Sequence, residues 1–251
     1  MEHSFLDRYS DIDSPVHRLD ARTKALISLF FIMMAVTTPP QHLLAFVIYA
    51  GLLLWTTALA RVPTGFVVSR ALMTLPFSVF VAIGLPFLGG DEEVSVLGLS
   101  LSVHGLWVLA GATMKSVLSV AALTLLVSTT PFSSLLAGLR ALGAPALFLD
   151  LLALTYRYLF LLVGESMSLK RAAIARGYDP KWLPQSIIIG RLAGNLFVRS
   201  YEHAERMYGA MQLRGYDSRM PAAAPSRFRA SDGLALAAVI AALTVVRIFV
   251  K

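Results

Sequence analysis

The chain of 251 residues contains no cysteine. That excludes disulfides, thiolate metal sites and a cysteine nucleophile. Charge is scarce too: 15% of residues are Asp, Glu, Lys or Arg, against about 25% in soluble domains. No G-x-x-x-x-G-K-[ST] run occurs, so the chain has no P-loop of its own for ATP. No H-E-x-x-H occurs, and the five histidines (His3, His17, His42, His104, His203) lack metal-ligand spacing. The polar segment 1–22 has no early apolar run, so the reading expects no cleaved signal peptide.

What is abundant is apolar surface. Hydrophobic residues make up 57% of the chain, and the mean hydropathy is +0.69. Several stretches approach the roughly 20 apolar residues that span a hydrocarbon layer. The expected fold is an all-α membrane protein with about five transmembrane helices plus long amphipathic cytoplasmic helices. The net charge of +7 then reads as Lys and Arg gathered in cytoplasmic segments, not as a nucleic-acid surface.

Spans are expected at about 25–36, 42–60, 66–88, 106–127 and 234–250. Asp20 is placed to cap the first, because its carboxylate can accept from free first-turn amides. Pro39 and Pro40 end that span, and Pro76 and Pro86 are expected to kink the third. Lys and Arg are absent from 37–42 and from 89–104, whereas Arg8, Arg18, Arg22, Lys24, Arg61 and Arg70 mark the alternate segments. The N-terminus is therefore expected in the cytoplasm, and the acidic run Asp91-Glu92-Glu93 in a solvated outer loop.

Segment 145–163 is apolar enough to cross, yet it carries Asp150 and Arg157. Each would cost about 2.5–3.5 kcal/mol near the bilayer centre. Parity also opposes a crossing. Segment 164–230 holds half of the chain's 22 Lys and Arg, and a single crossing would put it outside. The reading therefore lays 132–163 along the inner face. The division expected is 1–130 as tail and four spans, 131–230 as cytoplasmic helices and 231–251 as the last span.

Within the basic part a tetrapeptide repeats: Arg176-Gly177-Tyr178-Asp179 and Arg214-Gly215-Tyr216-Asp217. Each copy is expected to end a long helix, at 147–176 and 184–214, with glycine supplying a left-handed stop. The second helix shows a polar stripe (Arg191, Asn195, Arg199, Glu202, Arg206). A second stripe is apolar: Ala193, Phe197, Tyr201, Ala204, Tyr208 and Met211. Arg-Gly alone is an ordinary helix end. Tyr and Asp have no evident capping role, so their repetition points to two equivalent docking tips for a partner of twofold or pseudo-twofold symmetry. Arg suits such a site because its planar fork pairs bidentately with carboxylates. Each Asp is expected to orient its Arg, with each Tyr packing between helix and partner. Lys115, deep in the fourth span, is a candidate intramembrane contact, either to another subunit or to the headgroups.

At these residues the chain resembles the transmembrane T component of energy-coupling factor (ECF) transporters, closest to the CbiQ type of cobalt uptake systems. Ala175-Arg176-Gly177 and Leu213-Arg214-Gly215 carry the resemblance, with His17-Arg18-Leu19-Asp20-Ala21-Arg22-Thr23-Lys24 before span one. The second triplet has Leu where the family usually has Ala. The resemblance implies that Arg176 and Arg214 dock on two cytoplasmic ATP-binding-cassette ATPase subunits. It also implies that the long helices couple these to a small substrate-binding membrane subunit. ATP and Mg²⁺ would sit in the ATPases, with no cofactor or metal bound by this chain. Cobalt is implied by the resemblance alone; nickel or a vitamin stays open. A membrane anchor that recruits a soluble partner without transport, and a membrane enzyme, are the other readings. The enzyme would need an intramembrane acid or histidine cluster, and the spans offer mainly Lys115.

Overall fold

The computed structural model describes residues 12–82, 84, 93–96, 99–178, 186–216 and 230–249. The chain divides into two compact units, one of 2–141 with 224–251 and one centred on 142–223.

The first unit is a bundle. Helix α1 (Ala21–Thr37) starts at Asp20, whose side chain accepts from the Arg22 amide at 3.0 Å. The cap lets the helix begin four residues before the apolar run. It ends where Pro39 and Pro40 withdraw backbone donors. Helix α2 (Leu43–Leu59) returns. The expected third span is broken into α3 (Thr64–Leu72) and α4 (Leu75–Ala82). The break follows from Pro76, which lacks an N–H and whose ring would strike the carbonyl four residues back, that of Leu72. Pro86 lies outside the described residues. The alternating stretch after it forms an antiparallel ribbon, β1 (Glu93–Val96) with β2 (Leu99–Ser102), in register Glu93 to Ser102. This ribbon is the described departure from an all-α fold. Helix α5 (Val103–Thr129) follows, then short α6 (Phe132–Ala141). The last helix of the unit, numbered α9, is Ala230–Phe249. It starts before the expected apolar run, so Asp232 lies inside its first turn.

Small residues allow these helices to approach. Ala35 and Ala60 are fully buried, and Tyr49 meets Phe31 edge-on with centroids 5.7 Å apart. Gly111 of α5 lies against Pro40, where a Cβ would come within 2.5 Å of the proline Cβ.

Contacts fix the helix directions. Lys24 bonds to Thr129 while Pro40 meets Gly111, so α1 and α5 are antiparallel. The Asp20 amide donates to Asp232 at 3.4 Å, and Arg247 donates to the Thr38 hydroxyl at 3.0 Å, so α1 and α9 are parallel. Thr129 and Ala230 therefore lie at the same end of the bundle. The intervening chain leaves from and returns to one side.

The second unit is a helix pair, α7 (Ala146–Ala175) and α8 (Ser186–Leu213). Among the described residues, four segments are long and apolar enough to cross a membrane: Thr64–Val81, Gly105–Thr129, Ala146–Ala175 and Ala230–Ile248. Helix α1 is not among them, and α2 is shorter. Helix α7 qualifies because its charges Glu165, Lys170 and Arg171 fall in its second half. One crossing by α7 would nevertheless leave the chain on the wrong side for α9. The common end of Thr129 and Ala230 thus demands no net crossing between them.

Candidate functional site

Both repeats close their helices with the same hydrogen bonds. At the end of α7 the Arg176 amide donates to Ala173 at 3.0 Å, Gly177 to Ile174 at 3.0 Å and Tyr178 back to Ala173 at 3.1 Å. At the end of α8, Arg214 donates to Met211, Gly215 to Gln212 and Tyr216 to Met211, each at 3.0 Å. This is the Schellman arrangement, in which two nested bonds satisfy carbonyls left over by the helix. Gly177 and Gly215 have φ of +84° and +77°. A Cβ at either would meet nothing within 4 Å. Glycine is therefore required by backbone conformation, not by crowding.

The tyrosines are corrected by this geometry. Each contributes the N–H that closes the cap, so they are not external to capping. Their side chains are half-buried beside the exposed arginines. Arg176 and Arg214 each stand at a helix C-cap, one position beyond the last helical residue. Neither makes a side-chain hydrogen bond or ion pair with another described residue. Their cations sit where the helix carries partial negative charge. Asp179 and Asp217 lie outside the described residues, and the proposed Asp–Arg contact with them.

The two helices meet through an ion pair between Glu165 and Arg199 and a ring contact of 5.8 Å between Tyr158 and His203. Moving up α7 corresponds to moving down α8, so the pair runs antiparallel. Arg176 and Arg214 consequently point to opposite ends. Counting from the ion pair, the tips lie up to roughly 40 Å apart at 1.5 Å per residue. The half-buried side of α8 is Leu192, Leu196, Ser200, His203 and Met207. This is the seam that carries His203. The aromatic stripe expected to pack is instead outside it: Phe197, Tyr201 and Tyr208 are exposed. Glu202 and Arg206 form the expected i,i+4 pair at 3.7 Å, fully solvated.

Lys115 lies half-exposed on α5, with Arg247 as the charge near it. It has no acidic partner among the described residues. The structure brings it to none of the tip residues within its own unit.

Sequence reasoning missed a buried polar clasp at the start of α1. The Lys24 ammonium donates to the carbonyls of His17 at 3.0 Å and Thr129 at 2.8 Å, with the Asp20 and Asp232 carboxylates nearby. Lys24, Asp20 and Asp232 are all buried. The only signal for it was the run His17 to Lys24, quoted as familial and left without a job.

The model of one family, "Cobalt transport protein" (CbiQ), matches residues 13–223, which takes in the clasp and both tips. The chain belongs to the CbiQ family. A cobalt transport protein CbiQ of Rhodobacter capsulatus is 30% identical over 212 residues, covering 80% of this chain and 83% of that one. A putative fused cobalt transport protein CbiMQ of Methanocorpusculum labreanum is 30% identical over 220 residues, covering 83% of this chain. This chain matches only 36% of that fused protein's length. An energy-coupling factor transporter transmembrane protein EcfT of Listeria innocua is 29% identical over 236 residues, covering 86% of each. These relatives carry transport names, as does the family, and the apolar helices place this member in a membrane. Among the described residues no three of His, Asp and Glu converge as metal ligands.

Proposed function

We propose that this chain is the transmembrane coupling subunit, or T component, of an ATP-driven ECF importer. The single observation that carries the proposal is the pair of tips: identical caps, identical unpaired arginines, opposite ends of one helix pair. Two separated, equivalent cations fit a partner that comes as two subunits. The partner is a pair of cytoplasmic ATP-binding-cassette ATPases, which hold ATP and Mg²⁺ and carry out hydrolysis. Arg176 and Arg214 enter their grooves, with Gly177, Tyr178, Gly215 and Tyr216 holding the arginines in place and Asp179 and Asp217 beside them. This chain binds no cofactor and catalyses no reaction. A small membrane subunit binds the cargo, which the family name and the CbiQ relative point to as cobalt ion. Lys115 is a contact to that subunit. The membrane is the prokaryotic plasma membrane, with the N-terminus in the cytoplasm.

Co-purification tests the reading. Arg176→Glu with Arg214→Glu is expected to release the ATPases and abolish uptake in vesicles, with the membrane subunits still folded. If the double variant keeps both ATPases, docking by the tips is wrong. Uptake of Co²⁺ against Ni²⁺ in the same vesicles names the cargo. The absence of cysteine makes Tyr178→Cys a unique label site, expected to react only from the cytoplasmic side.

A further inference from the structure

The bundle unit encloses a cavity of about 280 Å³ between α1, α2, α5 and α9. It is larger than the ~150 Å³ apolar cavity that takes up benzene. Its wall includes Trp55, 63% exposed, so it is open on that side. The lining is almost wholly apolar, with Phe31, Ala238 and Leu243 at its deeper level and Lys24 at the other end.

One polar atom in this wall is unaccounted for. Ser28 is 8% exposed, and its hydroxyl has no hydrogen-bond partner among the described residues. Other buried hydroxyls share that condition (Thr23, Tyr49 and Thr130), but only Ser28 lines the cavity. An unpaired hydroxyl in hydrocarbon is costly. Water would not settle there, since it needs two to four polar partners, and the other polar groups of the wall are already used. The Lys24 ammonium and the Thr56 and Thr129 hydroxyls all donate to backbone carbonyls.

We propose that this cavity holds one acyl chain of a membrane glycerophospholipid, whose ester carbonyl accepts a hydrogen bond from Ser28. Lys24, Ser28 and Phe31 follow one another down a single face of α1, a turn or less apart, about 6 Å for each four residues. That order, charge then hydroxyl then aromatic, is the order in which a phospholipid presents headgroup, ester and hydrocarbon. The rim does not select an anionic headgroup. Lys24 has spent two of its three donors on carbonyls, and Asp20 and Asp232 offset its charge. Recognition falls on the chain and the ester.

The full chain in nanodiscs, with phosphatidylcholine carrying a photoreactive diazirine on its acyl chain, tests this. Crosslinks are expected on 52–56 and 235–243. Ala238→Phe, which fills the cavity, is expected to remove them while labelling of α3 and α4 persists. Ser28→Ala, too small a change to endanger folding, is expected to reduce them about fivefold, the worth of one hydrogen bond. Diazirine-bearing phosphatidylglycerol is expected to label equally. Labelling unchanged in Ser28→Ala, or spread evenly around the bundle, overturns the proposal. So does labelling that vanishes when the substrate-binding membrane subunit is co-assembled, which would assign the cavity to that subunit.

Discussion

The Lys24 ammonium donates to the carbonyl of Thr129, 105 residues away in sequence, at 2.8 Å. Thr129 is the last residue of α5, whose end carbonyls have no partner within the helix. Lys24 therefore acts as a cap supplied by another helix. It also fixes the N-terminal segment through His17. The cap is buried, so water cannot replace it.

Lys24→Met keeps the length of the side chain and removes all donors. Two buried carbonyls lose their charged partner, at about 1.5–3 kcal/mol each by the usual worth of such bonds. Thermal unfolding in detergent should show a clear drop in Tm. An unchanged Tm would mean the clasp is ornamental.

Gly177→Ala and Gly215→Ala force a Cβ onto a left-handed backbone, which costs about 1–2 kcal/mol. Nothing crowds either position, so the damage should stay at the tip. The expected result is weaker ATPase retention with normal global stability and faster hydrogen exchange at the Tyr178 or Tyr216 amide. Asn tolerates this conformation, so Gly→Asn should restore much of the retention. Equal effects of Ala and Asn would contradict the conformational explanation.

Glu165→Arg should loosen the crossing of α7 and α8, as should Arg199→Glu. The double exchange should recover it. Both side chains are at least a third exposed, so the stability effect is small, under about 1 kcal/mol, and salt-screened. Uptake is the sensitive readout, because the crossing sets where the tips point. A double exchange no better than the singles would show that the pair is not the contact that matters.

Gly111→Ala places a methyl 2.5 Å from the Pro40 Cβ. Proline cannot yield by rotating, so the turn between α1 and α2 must move off α5. Overpacking of this kind costs about 1–3 kcal/mol. Gly51, which has open space around it, is the control: Gly51→Ala should match wild type in Tm. Similar losses for both would refute the close-approach argument.

The candidate site was legible in sequence to the extent that it is local. Asp20 reaches an amide two residues on, and Gly177 answers a carbonyl three residues back. Such contacts follow from residue type and spacing within one turn. The break before Pro76 is of the same kind, although its position three residues earlier comes from the carbonyl the ring would strike. The tyrosines were misjudged because their contribution is a backbone N–H, which every residue but proline has. Only the closed cap reveals which N–H is used.

Other features depended on which helix lies beside which. The seam of α8 through His203 was mistaken for the aromatic stripe, because both repeat every three or four residues. Hydropathy cannot separate a face that meets protein from one that meets lipid, since both are apolar. Lys24 looked like a snorkelling interface residue until Thr129 was found against it. Sequence alone settled a membrane-embedded helical chain with two arginines set on glycine-stopped helix ends, because apolar length and backbone chirality act within a few residues. Tertiary structure alone decided that those tips point opposite ways, that α1 and α9 run parallel, and that a buried lysine joins three segments. Those facts rest on side-by-side packing, and packing pairs residues that the chain order keeps far apart.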